Sequence, residues 1–191
     1  MKITSVKKIT DHRFLNLFSA RYTNQSRKSK EWIFASRHEG ENPLLKNYKH
    51  PDAVVIVPFH MAEGKLVVVR EFRVALGGHQ YGFPAGLLDA GETIEQAGKR
   101  ELFEETGLTL NRVLKKSPAV FSSSGLADES ISMLYVECNG IPTDKHNSDS
   151  EDIEVVMVSR QQASDLTADH DLKLDVKTWI VLDRFASQGS I

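Results

Sequence analysis

GLLDAGETIEQAGKRELFEETGL, running from Gly86 to Leu108, is the stretch on which the reading of this chain turns. Its chemical centre is Arg100-Glu101-Leu102-Phe103-Glu104-Glu105. In a helix, Glu101, Glu104 and Glu105 stand at i, i+3 and i+4 and share a face. Both ends carry helix signals. Thr93 followed by Gln96 has the spacing of a capping box, and Gly107 occupies the position where a glycine ends a helix. At roughly 100° per residue, Glu101 and Glu105 fall within about 20° of Ile94, so the acids border the apolar stripe. Carboxylates packed beside a core are costly unless cations compensate them. Gathered hard oxygen ligands suit Mg²⁺ or Mn²⁺. The ordinary alternative is a solvated acidic face paired with Arg100 and Lys99.

The residues before the helix decide between these. Gly86, Glu92, Arg100-Glu101-Leu102, Glu104-Glu105 and Gly107-Leu108 fill every fixed position of G-x5-E-x7-R-E-U-x-E-E-x-G-U, where U is apolar. The stretch therefore resembles the Nudix box, whose fixed spacings are far more specific than a lone glycine motif. The resemblance implies a hydrolase with a loop-helix-loop metal site that cleaves a nucleoside diphosphate linked to another group. Glu101, Glu104, Glu105 and the carbonyl of Ala85 or Gly86 are then the expected ligands of Mg²⁺, or Mn²⁺. Glu105 and Glu101 are the expected catalytic acids, while Arg100 orients the glutamates and Glu92 supports the loop.

Upstream, AVVIVPF from Ala53 and KLVVVREF from Lys65 are near-continuous apolar runs, the pattern of buried strands. Arg70, Glu71 and Arg73 close the second run. An arginine fork at a strand end matches phosphate oxygens, which makes Arg73 a candidate clamp and leaves Arg70 open. Gly77-Gly78-His79-Gln80 reads as a flexible loop. Residues 1–50 alternate in three short runs, read as an antiparallel β module, with Gly40 to Asp52 as linker. The basic Arg27-Lys28-Lys30 cluster reads as a solvated hairpin tip. Trp32 and Phe14 are candidates for stacking on a base, although core packing is the ordinary role for both.

The order of N-terminal module, Arg70-Glu71-Phe72-Arg73, Phe83-Pro84-Ala85-Gly86, box, and Ser122 to Glu129 is similar to the ADP-ribose pyrophosphatase branch. That likeness implies an α+β fold, a mixed central sheet between helices, with residues 1–50 as the β module and 51–191 as the catalytic domain. It further implies a nucleoside diphosphate sugar as substrate, with Leu87 and Glu129 among its contacts, and a homodimer in which the N-terminal module completes the partner's site. Ser124 stands where the branch has a proline, so the preferred sugar stays open. Members of the branch carry a glutamate in a late loop that activates water. Glu151 is the best positional match, and Asp152 and Glu154 are its rivals.

Downstream, Ser130 to Val136 alternates as a strand, Gly140 to Ser150 is a polar loop, and Val155 to Val158 is a further strand. Ser159 is expected to cap a helix through Leu166. A closing helix starts near Asp175, with Trp179 and Leu182 as core. At 191 residues the chain can bury a real core. A net charge of −2 argues against general nucleic-acid binding. One cysteine, Cys138, cannot form an internal disulfide, which fits a reducing cytoplasm. No apolar run approaches membrane length. Hydrolysis of GDP-mannose or an oxidised nucleoside triphosphate uses the same box. A nucleotide-sensing regulator on this scaffold would be expected to have lost box glutamates, and none is missing.

Overall fold

A computed structural model describes residues 1–147 and 151–191, and the chain falls into two units. The first comprises Met1–Asp52 with Pro118–Ile131, the second Ala53–Ser117 with Ser132–Ile191. The segment Pro118–Ile131 clusters with the N-terminal strands expected as a module at residues 1–50.

In the first unit, β1 (Lys2–Lys8), β2 (Asn16–Thr23) and β3 (Ser29–Ser36) form an antiparallel sheet in that order. Alternation sends Phe18, Ala20 and Phe34 to one face, where Val6 and Leu44 pack against them. Trp32 and Phe14 do not join this core: they are 51% and 68% exposed. The Gly40–Asp52 stretch is not a bare linker. Pro43–Leu45 makes a 3-10 turn with Pro43 buried, and Lys46 pairs with Asp52 at 2.7 Å. Asp52 also accepts from the Ser130 amide at 2.8 Å, and Asp128 accepts from Ser36 Oγ at 3.0 Å. The strand β9 (Val120–Phe121) pairs with Ser130 and Ile131.

The second unit is built on a mixed sheet flanked by helices, the expected α+β architecture. Its strands are β4 (Ala53–His60), β5 (Lys65–Arg73), β6 (Gly78–Gly82), β7 (Ala85–Leu87), β8 (Thr109–Lys116), β10 (Ser130–Asn139, begun in the first unit) and β11 (Ile153–Val158). Its helices are α1 (Ile94–Thr106), α2 (Arg160–Ala168) and α3 (Val176–Gln188). The path is β11-β5-β4-β10-β8, with β6 on β5 and β7 on β4. Val54, Ile56 and Val67 face α1, where they meet Ala97 and Leu102. Val55, Val57 and Phe59 have the opposite parity, and the Phe59 ring meets Phe185 of α3 edge-on at 6.2 Å. Helices thus cover both faces of the continuous apolar runs.

Two details depart from expectation, and one lies beyond what the structure describes. Gly77-Gly78-His79-Gln80 is not a free loop, because β6 pairs with β5 from Gly78 onward and Tyr81 bridges to Leu174. Trp179 is 43% exposed while Leu182 is fully buried, since α3 turns its Thr178, Leu182 and Phe185 inward. The end of the polar loop expected at Gly140 to Ser150 lies outside the described residues.

Candidate active site

The site grows from the two ends of α1. Thr93 Oγ1 accepts from the Gln96 amide at 3.2 Å, and Gln96 Oε1 accepts from the Thr93 amide at 2.9 Å. This reciprocal cap fixes where the helix starts and therefore which way its acids point. At the far end Gly107 adopts φ 68°, a left-handed turn that suits glycine.

Arg100 is the hub. Its Nε and Nη2 donate to Glu92 at 3.0 and 2.9 Å, and Nη1 donates to Glu101 at 2.7 Å and Glu104 at 3.2 Å. Nη2 also donates to the Leu87 carbonyl at 3.1 Å. One guanidinium thus ties the loop before the helix to two box glutamates, using its planar set of donors. The hydrogen bonds from Arg100 and from the Asp89 amide hold the Glu92 carboxyl below the usual range. Gly86 is needed by a close approach: a β-carbon there would collide with the Glu101 carboxylate. The Glu101 carboxylate therefore lies directly against the backbone of Gly86.

Glu105 is the decisive residue. It is 6% exposed. Its Oε1 accepts a long 3.5 Å bond from the Ala85 amide, while Oε2 is buried without a hydrogen-bond partner. Burial foremost, then the neighbouring Glu101 charge, pushes its carboxyl up to about 9, with Glu71 and Glu151 adding to the push. Glu101 is also raised, by burial against the opposing pull of Arg100. A group of carboxyls held too basic by burial and mutual repulsion lacks positive charge. An orphaned acid oxygen beside a second acid and a backbone cradle fits a hard divalent cation. Among the described residues no three such side chains yet converge on one point. Arg100 holds Glu101 and Glu104, and Glu105 turns toward Ala85.

Strand alternation sorts the remaining candidates. Val67, which packs under α1, shares its face of β5 with Glu71 and Arg73. Arg70 has the other parity. It pairs across the strands with Glu154 at 3.4 Å, and the two are register partners. Neither is brought to the box helix. Asp152 likewise faces His79, at 3.1 Å. Glu151 differs, because its charge acts on Glu71, Glu101 and Glu105 together. Of the three late-loop acids it is the one that shares the box's electrostatic environment. Glu71, to which the sequence reading gave no role, pairs with Arg73 at 2.7 Å.

Trp32, Ser124 and Glu129 belong to the first unit. Glu129 accepts from Ser122 Oγ at 3.0 Å and meets Arg37 at 3.5 Å. Trp32 and Ser124 line a cavity of about 670 Å³ with Tyr22, Phe34, Tyr48 and Phe121.

A family model for the Nudix domain matches residues 49–180, most of the chain. The chain belongs to the Nudix family. Among its relatives, ADP-ribose pyrophosphatase of Bacillus subtilis is 35% identical over 131 residues, covering 68% of this chain and 69% of that protein. Putative nudix hydrolase 2 of Caenorhabditis elegans is 34% identical over 135 residues, 67% of this chain but 59% of the worm protein. The ADP-sugar pyrophosphatase of Mus musculus is 26% identical over 189 residues, covering 93% of this chain and 84% of that protein. A crystal structure of an ADP compounds hydrolase matches at a TM-score of 0.69 with 23% identity, over 100% of this chain and 98% of that one. That likeness establishes the Nudix fold.

Proposed function

We propose that this Nudix protein hydrolyses the diphosphate linkage of ADP-ribose or a related nucleoside diphosphate sugar, releasing a nucleoside monophosphate and a sugar phosphate. The observation that carries this reading is the buried, unpartnered oxygen of Glu105, set among the charges of Glu101, Glu71 and Glu151. Mg²⁺, or Mn²⁺, held by Glu101, Glu104, Glu105 and the carbonyl of Ala85 or Gly86, would supply charge neutralisation and polarise the phosphorus.

The chain's own residues do the rest. Arg73 presents its guanidinium to one phosphate, for which its geometry is matched. Glu151 accepts the proton of the attacking water, a role open to a carboxylate within hydrogen-bond reach. Arg100 keeps Glu101 and Glu104 aligned, so a shift of that fork would misplace both. The apolar cavity that Trp32 and Ser124 line suits a base, and Glu129, outside that cavity, is a separate candidate polar contact. A homodimer, as in the ADP-ribose branch, agrees with the exposed Trp32. A cytoplasmic setting agrees with a single thiol.

The test is product analysis with purified protein and Mg²⁺ on ADP-ribose, GDP-mannose, UDP-glucose, NADH and 8-oxo-dGTP. AMP and ribose 5-phosphate from ADP-ribose, absent with Glu105→Gln, is the expected result. Faster cleavage of another sugar nucleotide would move the substrate and keep the chemistry. No cleavage of any member would overturn the reading.

A further inference from the structure

We infer that Glu71 is a positioning residue that sets the Arg73 guanidinium for a substrate phosphate. The inference rests on Arg73 as the phosphate clamp of the proposed reaction, and it adds a residue that the box does not contain.

Three observations converge on Glu71. First, Glu71 and Arg73 are two apart on β5, so their side chains leave the same face, the one that also carries Val67 under α1. Second, Arg73 Nη2 lies 2.7 Å from Glu71 Oε2, with the glutamate side chain 18% exposed and the arginine 49% exposed. The carboxylate is the fixed partner and the guanidinium the one that reaches solvent. Third, the Glu71 backbone is paired on both sides, with Gln80 of β6 and Ile153 of β11. The anchor is therefore held by three strands, as a residue that orients another should be.

An arginine carries substantial side-chain rotamer freedom, which a ligand would otherwise have to remove. Pinning one nitrogen lowers that cost and leaves the other donors of the fork for the ligand. Glu71 also lies within the fields of Glu105 and Glu151, and burial raises its carboxyl against the pull of Arg73. The pair thus joins the acidic centre to the basic clamp along a single strand face. Arg70 cannot substitute, because it points to the other face and is engaged with Glu154.

The test reads binding rather than turnover. ADP affinity is measured by calorimetry with Mg²⁺ for wild type, Glu71→Ala, Glu71→Gln, Arg73→Ala and the Glu71→Ala/Arg73→Ala double variant, each checked for an unchanged melting profile. Arg73→Ala and Glu71→Ala should each weaken ADP about tenfold, equivalent to about 1.4 kcal/mol. The double variant should be no weaker than either single one, because the two act as one device. Glu71→Gln keeps an acceptor for Arg73 and should restore binding close to wild type. Additive losses, or ADP affinity indifferent to Glu71→Ala, would overturn the inference. So would a loss of ADP-free Mn²⁺ affinity in Glu71→Gln as large as that in Glu105→Gln, since Glu71 would then act on the cation. If these affinities behave as expected while wild type cleaves no member of the substrate panel, the proposed reaction fails and the Glu71–Arg73 device stands.

Discussion

In the proposed site, Glu105 is a single side chain that would cost stability where it supplies function. A carboxyl with 6% exposure, one long hydrogen bond and an orphaned oxygen is unfavourable in an apolar neighbourhood. Replacing it with glutamine removes a potential charge at nearly constant volume. Glu105→Gln should therefore melt at or above the wild-type temperature without divalent cations, yet lose about 10²-fold or more in kcat when they are present. Calorimetric melting beside steady-state kinetics at saturating Mg²⁺ checks both halves. A variant that keeps wild-type kcat at full metal occupancy would remove Glu105 from the catalytic machinery. This residue was legible in the sequence because spacing alone puts it on a helix face beside Ile94. Glu71 was not, since Val67, Val68, Val69 and Phe72 put apolar residues on both faces of this strand and conceal which parity looks toward α1. The packing of Val67 under α1 reveals it.

At the scale of elements, local capping chemistry was the reliable guide and the Gly77-Gly78 pair the misleading one. The caps at Thr93 and Ser159 form as their spacing required, each with its reciprocal glutamine. Asp175 caps α3 by accepting from the amides of Lys177 at 3.0 Å and Thr178 at 3.2 Å. Asp175→Ala should then cost about 1 kcal/mol, read as a lower urea midpoint with an unchanged slope. Its kcat should stay at the wild-type value, because α3 supplies none of the box residues. A matching drop in kcat would mean that α3 supports the site more directly than its packing indicates. Gly77-Gly78, by contrast, suggested a free loop. The segment becomes β6 because β5 offers it a ladder and the Lys173–Asp175 stretch satisfies its other edge, with Tyr81 donating to the Lys173 carbonyl at 2.9 Å. Those partners lie almost a hundred residues away, where no local rule looks.

Across the whole molecule, the acidic centre and the core bear differently on stability. The carboxyls around Glu105 repel one another, so a cation that binds the folded chain and not the unfolded one raises its apparent stability by mass action. Mn²⁺ or Mg²⁺ should raise the melting temperature of wild type and leave that of Glu105→Gln almost unmoved. Chelation should abolish turnover reversibly without unfolding the chain, as judged by its circular dichroism. A wild-type melt indifferent to both cations would count against a metal centre among these residues.

Cys138 reports on the core itself. It is fully buried among Val54, Ile56, Leu134 and Val136, and burial pushes its thiol up to about 12. The thiolate is the reactive form, so both access and ionisation are denied in the folded state. Iodoacetamide at pH 8 should leave Cys138 unlabelled in native protein, and labelling in graded urea should follow the unfolding curve of the second unit. Because Cys138 faces α1 across the sheet, the same label reads the seating of the helix that carries the box. Substrate turnover and protection should consequently be lost over the same range of urea. Labelling that runs ahead of the loss of activity would mean that the sheet opens around β10 while the catalytic helix stays in place. The packing of Leu102 and Ala97 against this cluster argues against such an opening.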